Sequence, residues 1–365
     1  MNLKTNNKKI CLVVSSLGKG GAEKSSALLS EMLDSLGFEV YIVSVQNNIA
    51  YDFKGELLNL DLLVTNRNSL LKKIAKAKYF KIFLKQHQFE YIIDNRSRNY
   101  WLREFIITNF CYSKYKIIYV VRSYNLNYYF SKNKFLTKLN YRGASAIVGV
   151  SKAIKEEVER LYGFKNVYAI SNPVKINNTK TEMTDHLGKY ILAYGRIDEK
   201  VKNYTLLLEA YKQSKLSENN VGLIILGSGP DLDLLKRKVN ELNISEYVEF
   251  KPFDDKPYDI IKQARFVCLT SRFEGFPRVL IESLSFGIPV ISVDCKSGPN
   301  EIVQSGYNGL LVENNNPKEL SEAMNSFIFD KALYDHCKSN TIKSVEKYDS
   351  DTIAKEWQKL LNSIE

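Results

Sequence analysis

Short, almost wholly apolar runs recur along this chain, and each gives way to a segment whose apolar residues keep helical spacing. Ile10–Ser15 is the first run. The turn Gly18-Lys19-Gly20-Gly21 separates it from Ala22–Ser35, where Ala22, Leu28, Leu29, Met32 and Leu33 form a stripe. Phe38–Val45, Tyr91–Ile93, Ile117–Val121 and Ala146–Val150 continue the series. In the second half Tyr190–Tyr194, Val221–Leu226, Val248–Phe250, Phe266–Leu269 and Pro289–Val293 read as strands, with helices at Tyr204–Gln213, Leu232–Leu242 and Arg278–Ser285. A strand that is apolar on both faces has to be covered on both faces, so the pattern predicts parallel sheets enclosed by helices. The pattern runs twice, and 365 residues suffice for two such domains. The expected seam lies near Ser171-Asn172-Pro173, with a polar stretch, Asn177–Asp185, just beyond it. That gives domains over 1–170 and 171–350. A last amphipathic helix within 351–365 carries Trp357 on its apolar side and is expected to pack back on the first domain.

Several classes fall away early. No apolar run approaches the length that spans a membrane. The run Ile10–Leu17 is short and leads into the glycine turn, so it reads as a strand and not as a signal peptide. The five cysteines (Cys11, Cys111, Cys268, Cys295, Cys337) show no CxxC spacing, which points to a reducing compartment and away from a disulfide or zinc framework. The net charge of +11 is unevenly placed: residues 1–170 hold 27 Lys and Arg against 13 Asp and Glu, and the rest holds 25 against 28. The first half is therefore expected to face something anionic.

The turn Gly18–Gly21 follows a strand and opens a helix, a position suited to an anion or to a plain tight turn. Glu23 stands where a dinucleotide fingerprint needs its third glycine, so a nicotinamide cofactor is not expected. In Gly227-Ser228-Gly229-Pro230 the third glycine is again missing. The Asp231-Leu232-Asp233 that follows has the spacing of a metal-chelating pair, but reads better as a helix cap and first turn. No metal site is expected. His87, His186 and His336 are the only histidines, and no G-x-S-x-G is present, so neither a histidine base nor a hydrolase triad is indicated. The richest segment is Ser271-Arg272-Phe273-Glu274-Gly275-Phe276-Pro277-Arg278-Val279-Leu280-Ile281-Glu282. It places Glu274 in a loop, Glu282 within a helix and the helix start between them. Amides for a phosphate would then lie between two acceptors for hydroxyl groups.

This segment resembles the E-x7-E motif of the family-four retaining glycosyltransferases, which have the two-domain GT-B fold. Other pieces agree in order: Ser16-Leu17-Gly18-Lys19-Gly20-Gly21-Ala22-Glu23, Val150-Ser151 with Ile154, Ser171-Asn172-Pro173-Val174, Gly195-Arg196-Ile197 with Lys202-Asn203, Leu226–Pro230 and Gly287-Ile288-Pro289-Val290. Asp294-Cys295-Lys296-Ser297-Gly298-Pro299-Asn300-Glu301-Ile302 is similar to a segment of members that use UDP-sugars. The resemblance implies two doubly wound, Rossmann-like α/β domains facing a cleft. It implies that Arg196 and Lys202 hold the donor diphosphate, with Lys200 as the alternative to Lys202. Glu274 would contact the transferred sugar, and Glu282 the ribose. Gly275, Phe276, Val279 and Leu280 would approach sugar and phosphates, Gly298 and Pro299 would belong to the donor site, and Gly18 and Gly20 would line the cleft. Two positions depart from the family: Arg122 stands where members often carry a histidine near the sugar's 6-position, and Lys251-Pro252-Phe253 stands where many have glycine. Arg122 is thus a candidate on the acceptor or sugar side.

Leu70–Phe89 holds a stripe of Leu71, Ile74, Ala75, Tyr79, Ile82 and Phe83, with Lys72, Lys73, Lys76 and Lys81 off it. With Tyr128–Arg142 it is read as a basic surface for an anionic membrane. Nucleic acid is not expected, because no binding-module signature appears. The expected protein is a retaining glycosyltransferase at the inner membrane face. It would move a hexose or N-acetylhexosamine from a UDP-sugar to a glycan or polyprenyl-diphosphate-linked acceptor, without a further cofactor. The alternatives are a sugar-nucleotide epimerase on the same fold and a non-catalytic basic binding protein.

Overall fold

A computed structural model describes residues 8–64, 68–176, 189–254 and 256–364. The polar stretch 177–185 and His186 lie outside the described residues. Contacts divide the chain into two units: Met1–Pro173 with Ser350–Glu365, and Val174–Asp349.

The first unit holds seven parallel strands, β1 (Lys9–Val14), β2 (Glu39–Ser44), β3 (Glu56–Asn59), β4 (Tyr91–Asp94), β5 (Lys116–Val121), β6 (Ala144–Gly149) and β7 (Val167–Ala169). Their order is β3-β2-β1-β4-β5-β6-β7. The helices are α1 (Gly21–Ser35), α2 (Ser69–His87), α3 (Trp101–Ile106) running on into a π-helical turn (Ile107–Cys111), α4 (Lys134–Tyr141) and α5 (Lys152–Tyr162). The Val150-Ser151…Ile154 sequence has a plain structural purpose. Ser151 caps α5 by accepting from the Ile154 amide at 3.2 Å, while Ile154 is fully buried against Gly149, where a Cβ would come within 2.8 Å of it.

The second unit holds six parallel strands, β8 (Tyr190–Tyr194), β9 (Gly222–Leu226), β10 (Val248–Lys251), β11 (Val267–Leu269), β12 (Val290–Val293) and β13 (Gly309–Val312), in the order β10-β9-β8-β11-β12-β13. Its helices are α6 (Glu199–Lys202), α7 (Tyr204–Gln213), α8 (Leu232–Glu241), α9 (Tyr258–Lys262), α10 (Arg278–Ser285), α11 (Pro299–Ile302), α12 (Pro317–Phe329) and α13 (Lys331–Val345). The last helix, α14 (Ser350–Ser363), belongs to the first unit. It lies against α1, buries Trp357, and accepts a hydrogen bond from the Tyr91 hydroxyl at Leu361 O, 3.1 Å away.

Both sheets are doubly wound, as the apolar alternation predicts. Two details differ from the sequence reading. Strands β3, β7 and β13 were not expected. Each is short, lies at a sheet edge and is only partly buried, so none carries the all-apolar run that marks an inner strand. The apolar stripe of α2 also faces outward. Phe80 and Leu84 are the buried side chains, whereas Leu71, Ile74, Tyr79 and Ile82 are 50%, 57%, 45% and 42% exposed. Two of the lysines expected to lie free on this helix turn to the unit instead. Lys72 and Lys76 reach Asp61 at 2.7 and 2.8 Å, and their hydrogen bonds hold its carboxyl well below the usual range.

Candidate functional site

In a doubly wound sheet, ligands bind at the carboxyl ends of the strands where the winding direction reverses. In the second unit that point lies between β8 and β11. The loop after β8 carries Gly195, Arg196 and Ile197, and the loop after β11 carries Thr270–Pro277. Six of the donor-site candidates therefore lie at or beside the switch point: Arg196, Lys202, Glu274, Gly275, Gly298 and Pro299.

Lys202 Nζ sits 2.7 Å from Glu274 Oε1, with both side chains largely shielded. Ser271 Oγ donates to the same oxygen at 2.6 Å. Among the described residues Oε2 accepts no hydrogen bond, which leaves it for a sugar hydroxyl. Several backbone contacts hold Lys202 there. The Arg272 amide donates to Val201 O at 2.8 Å, Thr270 Oγ1 donates to Lys202 O at 3.1 Å, and Arg272 NH2 donates to Asn203 Oδ1 at 2.7 Å. Asn203, at φ +52°, turns the chain from α6 into α7. Lys200 is exposed on the same short helix and is not paired with Glu274, so geometry separates the two lysines that spacing leaves open. Burial, and then the charges of Glu274 and Glu199, push the Tyr204 phenol upward beside this pair.

Gly195 bridges the two cations. A Cβ on it, at φ +140°, would lie 3.9 Å from Lys202 Nζ, and Arg196 follows directly, its side chain 72% exposed. The only ion pair printed for Arg196 is a loose 3.9 Å approach to Asp198. The second glycine loop supports this turn. A Cβ on Gly227 would come within 1.9 Å of Gly195 O, and one on Gly229 within 1.9 Å of Ile197 O. Both glycines therefore serve close backbone approach. Asp231, expected to cap α8, makes no side-chain cap there. Its Oδ2 accepts from the Glu199 amide at 2.7 Å and so caps α6, the helix that carries Lys202.

Glu274 lies in the loop and Glu282 inside α10, with the helix start between them. Glu282 is 9% exposed, and its Oε1 accepts from Arg278 NH2 at 2.6 Å across one helical turn. Tyr194, buried beneath, donates to Val279 O at 2.9 Å; burial and the Glu282 charge push its phenol up. Of the residues expected to offer amides, Val279 is in the first turn, where a helix leaves its N–H groups without intrahelical partners. Leu280 is a correction. Its amide donates to Pro277 O at 3.2 Å and its side chain is fully buried, so it belongs to the core. The Phe276 ring is likewise buried, 5.0 Å from the Tyr348 ring, which leaves only its backbone for a ligand.

The segment 294–299 docks on this loop. The Glu274 amide donates to Lys296 O at 2.9 Å, and Ser297 Oγ donates to Gly275 O at 2.9 Å. Gly298, at φ +101°, is pressed so close that a Cβ would lie 2.7 Å from Pro277. Pro299 then opens α11. Ser271, Arg272, Arg278, Tyr194 and Tyr204 were not expected. Arg278 alone left a signal, its four-residue spacing from Glu282.

In the first unit, Gly18 follows β1 against Asn48, and Gly20 is the residue that caps α1. Arg122, after β5, donates to Asn172 Oδ1 and to Asn95 Oδ1, each at 2.9 Å.

A family model described as "Glycosyl transferases group 1" matches residues 177–344, and one described as "Glycosyltransferase Family 4" matches residues 19–178. A relative from Campylobacter jejuni is 29% identical over 97% of this chain and 99% of its own length. It is named N-acetylgalactosamine-N,N'-diacetylbacillosaminyl-diphospho-undecaprenol 4-alpha-N-acetylgalactosaminyltransferase. The lipopolysaccharide 1,6-galactosyltransferase of Escherichia coli K12 is 30% identical over 52% of this chain and 54% of its own. Among solved structures, Staphylococcus aureus TarM with Fondaparinux, alpha-GlcNAc-glycerol and UDP superposes with a TM-score of 0.81 at 16% identity, covering 97% of this chain and all of TarM. Anabaena HepE with UDP superposes with a TM-score of 0.77 at 19% identity, over 97% of this chain and all of its own.

Proposed function

The chain belongs to the GT-B glycosyltransferases of family four, and on that premise we propose that it is a retaining enzyme of bacterial cell-surface glycan synthesis. It moves a hexose or N-acetylhexosamine from a UDP-sugar to a glycan or a polyprenyl-diphosphate-linked acceptor. The observation that carries this reading is the Lys202–Glu274 pair at 2.7 Å, placed beside Arg196 at the sheet's switch point and one loop from Glu282. Arg196 and Lys202 meet the charge that grows on the departing diphosphate. Glu274 Oε2 takes a hydroxyl of the transferred sugar, and Glu282 the ribose. The acceptor oxygen attacks on the face the diphosphate leaves, and a phosphate oxygen accepts its proton. The bond to the nucleotide breaks as the new glycosidic bond forms, with the anomeric configuration kept. Two cations suffice for the diphosphate, so the reaction runs without a metal and survives EDTA.

The UDP-bound relatives favour a uridine donor, and the Campylobacter relative's name favours a lipid-linked acceptor. The test uses labelled UDP-GalNAc, UDP-GlcNAc, UDP-galactose and UDP-glucose. Each is incubated with N-acetylgalactosamine-N,N'-diacetylbacillosaminyl-diphospho-undecaprenol and, separately, with a bacterial lipid extract. Label is expected in the lipid fraction, and the anomeric proton of the product should match that of the donor. Isomerised nucleotide sugar without transfer would make the protein an epimerase. Absence of UDP binding would leave only a binding role.

We further propose that the first unit rests peripherally on an anionic membrane at its cytoplasmic face. Among the described residues no helix is long and apolar enough to cross one. The outward stripe of α2 is joined by exposed Trp101, Leu102, Ile106 and Phe110, with Lys81 5.8 Å from the Phe110 ring. Exposed Lys73, Lys78 and Lys85 flank the stripe, and each contributes roughly 1 kcal/mol near an anionic surface. Vesicles containing phosphatidylglycerol should sediment the protein, and phosphatidylcholine vesicles should not. Ile74→Glu with Ile82→Glu should release it. Equal binding to both lipids would remove the electrostatic part of this reading.

A further inference from the structure

The first unit has its own switch point, between β1 and β4. The loop after β1 carries Gly18 and Gly20. The loop after β4 runs from Asn95 to Tyr100, and its side chains alternate: Arg96 and Arg98 are buried, while Ser97, Asn99 and Tyr100 are exposed and Asn95 is half-buried. Arginines in a loop normally reach for water, so their burial needs a reason.

The buried pair grips the backbone of the loop itself. Arg98 donates to Asp94 O at 2.9 Å, Arg96 O at 2.8 Å and Val120 O at 2.9 Å, and through Nε to the Tyr141 hydroxyl at 2.9 Å. The rings of Tyr119, Tyr129 and Tyr141 surround its guanidinium at 4.9, 5.2 and 5.8 Å. Arg96 forms a two-pronged pair with Asp94 at 3.0 and 2.7 Å and reaches Glu104 at 3.0 Å. The Asn95 amide is bound to Val13 O at 2.8 Å, and the Arg98 amide to Tyr128 O at 2.7 Å. Two cations and two carboxylates cancel in charge. Such buried networks add little net stability, because desolvation offsets their attraction. What this one does is hold every second residue of a loop in place.

We propose that this loop is an acceptor-sugar site, with Ser97 and Asn99 as contacts to glycan hydroxyls, the exposed Tyr100 ring as a face for a pyranose, and Arg96 and Arg98 as positioning residues. Amide and hydroxyl side chains both donate and accept, which matches a ligand made of hydroxyl groups. Fixing them in advance removes the entropy that binding would otherwise cost. The inference rests on the glycosyltransferase reading above and deepens it to the acceptor side.

The experiment measures acceptor KM, kcat and UDP Kd for wild type, Ser97→Ala/Asn99→Ala and Arg98→Lys, using the UDP-sugar and lipid-linked acceptor that give transfer. Arg98→Lys keeps the charge and loses the planar fork. The expected result is an acceptor KM raised tenfold or more in both variants, with UDP Kd within twofold of wild type. A merely structural role for Arg98 would lower the melting temperature and leave acceptor KM unmoved. If the wild type transfers sugar and the double variant keeps its acceptor KM, the inference is overturned alone. An Arg98→Lys protein that folds and keeps its KM removes the positioning role; where it does not fold, the double variant decides. A wild type that neither binds UDP nor transfers overturns the parent reading and this one with it.

Discussion

Lys202→Ala is expected to lower kcat by about 10²–10³-fold, the loss that follows removal of one preorganised group from a developing negative charge. The size of the effect comes from how firmly the lysine is set. Its ammonium is 17% exposed, paired at 2.7 Å with Glu274, and its backbone is tied to Thr270 and, through Val201, to Arg272. None of that anchoring has to form during the reaction. Lys200, two residues away and exposed, should tolerate alanine with kcat changed by no more than about twofold, since a solvated lysine contributes little. Steady-state kinetics on the two variants separate them. A large loss at Lys200 with little at Lys202 would reverse the assignment. Glu282→Ala should act differently, weakening UDP affinity more than turnover, because a ribose contact is made equally in ground and transition states.

Asp94→Asn is expected to destabilise the first unit by about 3–5 kcal/mol, the usual cost of removing one partner from a buried ion network. In a unit of this size that is a fall in Tm of roughly 6–20 °C. The substitution keeps the shape of the side chain and removes the charge that faces two buried guanidinium groups. Burial by itself draws the Asp94 carboxyl upward, but the charges of Arg96 and Arg98 outweigh it and hold it below its ordinary value. A depressed carboxyl stabilises the fold in full above the unfolded value of about 3.9 and loses that contribution as pH falls through the folded value. The difference between wild type and variant should therefore be constant near neutrality and close in acid. Calorimetry across pH checks this. A gap that stays the same down to the acid limit would mean that packing, and not charge, is responsible.

The inner strands and their helices were legible because each had to hide both faces or one stripe, and burial leaves a pattern in the residues. Helices α7 and α10 begin and end where that pattern places them. Edge strands left no such mark, since half their surface meets solvent. Patterning also misled at α2. A stripe of Leu71, Ile74 and Ile82 says that one face is apolar, and it does not say whether protein or another apolar phase covers that face. In the candidate site, Arg196, Lys202, Glu274 and Glu282 were readable from their motifs. The side chains that hold them, Arg272, Arg278 and Asp231, were not, because each acts across a fold contact that spacing does not encode. The Arg96–Arg98 loop was hidden for a similar reason. Charged residues read as surface, and only the fold shows these two enclosed by tyrosines and carboxylates.

The central claim is that the second unit grips a nucleoside diphosphate between Arg196, Lys202 and the start of α10, with Glu282 on the ribose. A crystal structure of the protein with UDP tests it directly. The account predicts the β-phosphate within hydrogen-bonding distance of both cations and a ribose hydroxyl on the Glu282 carboxylate. UDP bound elsewhere, or in this place with Glu282 and Lys202 turned away from it, would contradict the account.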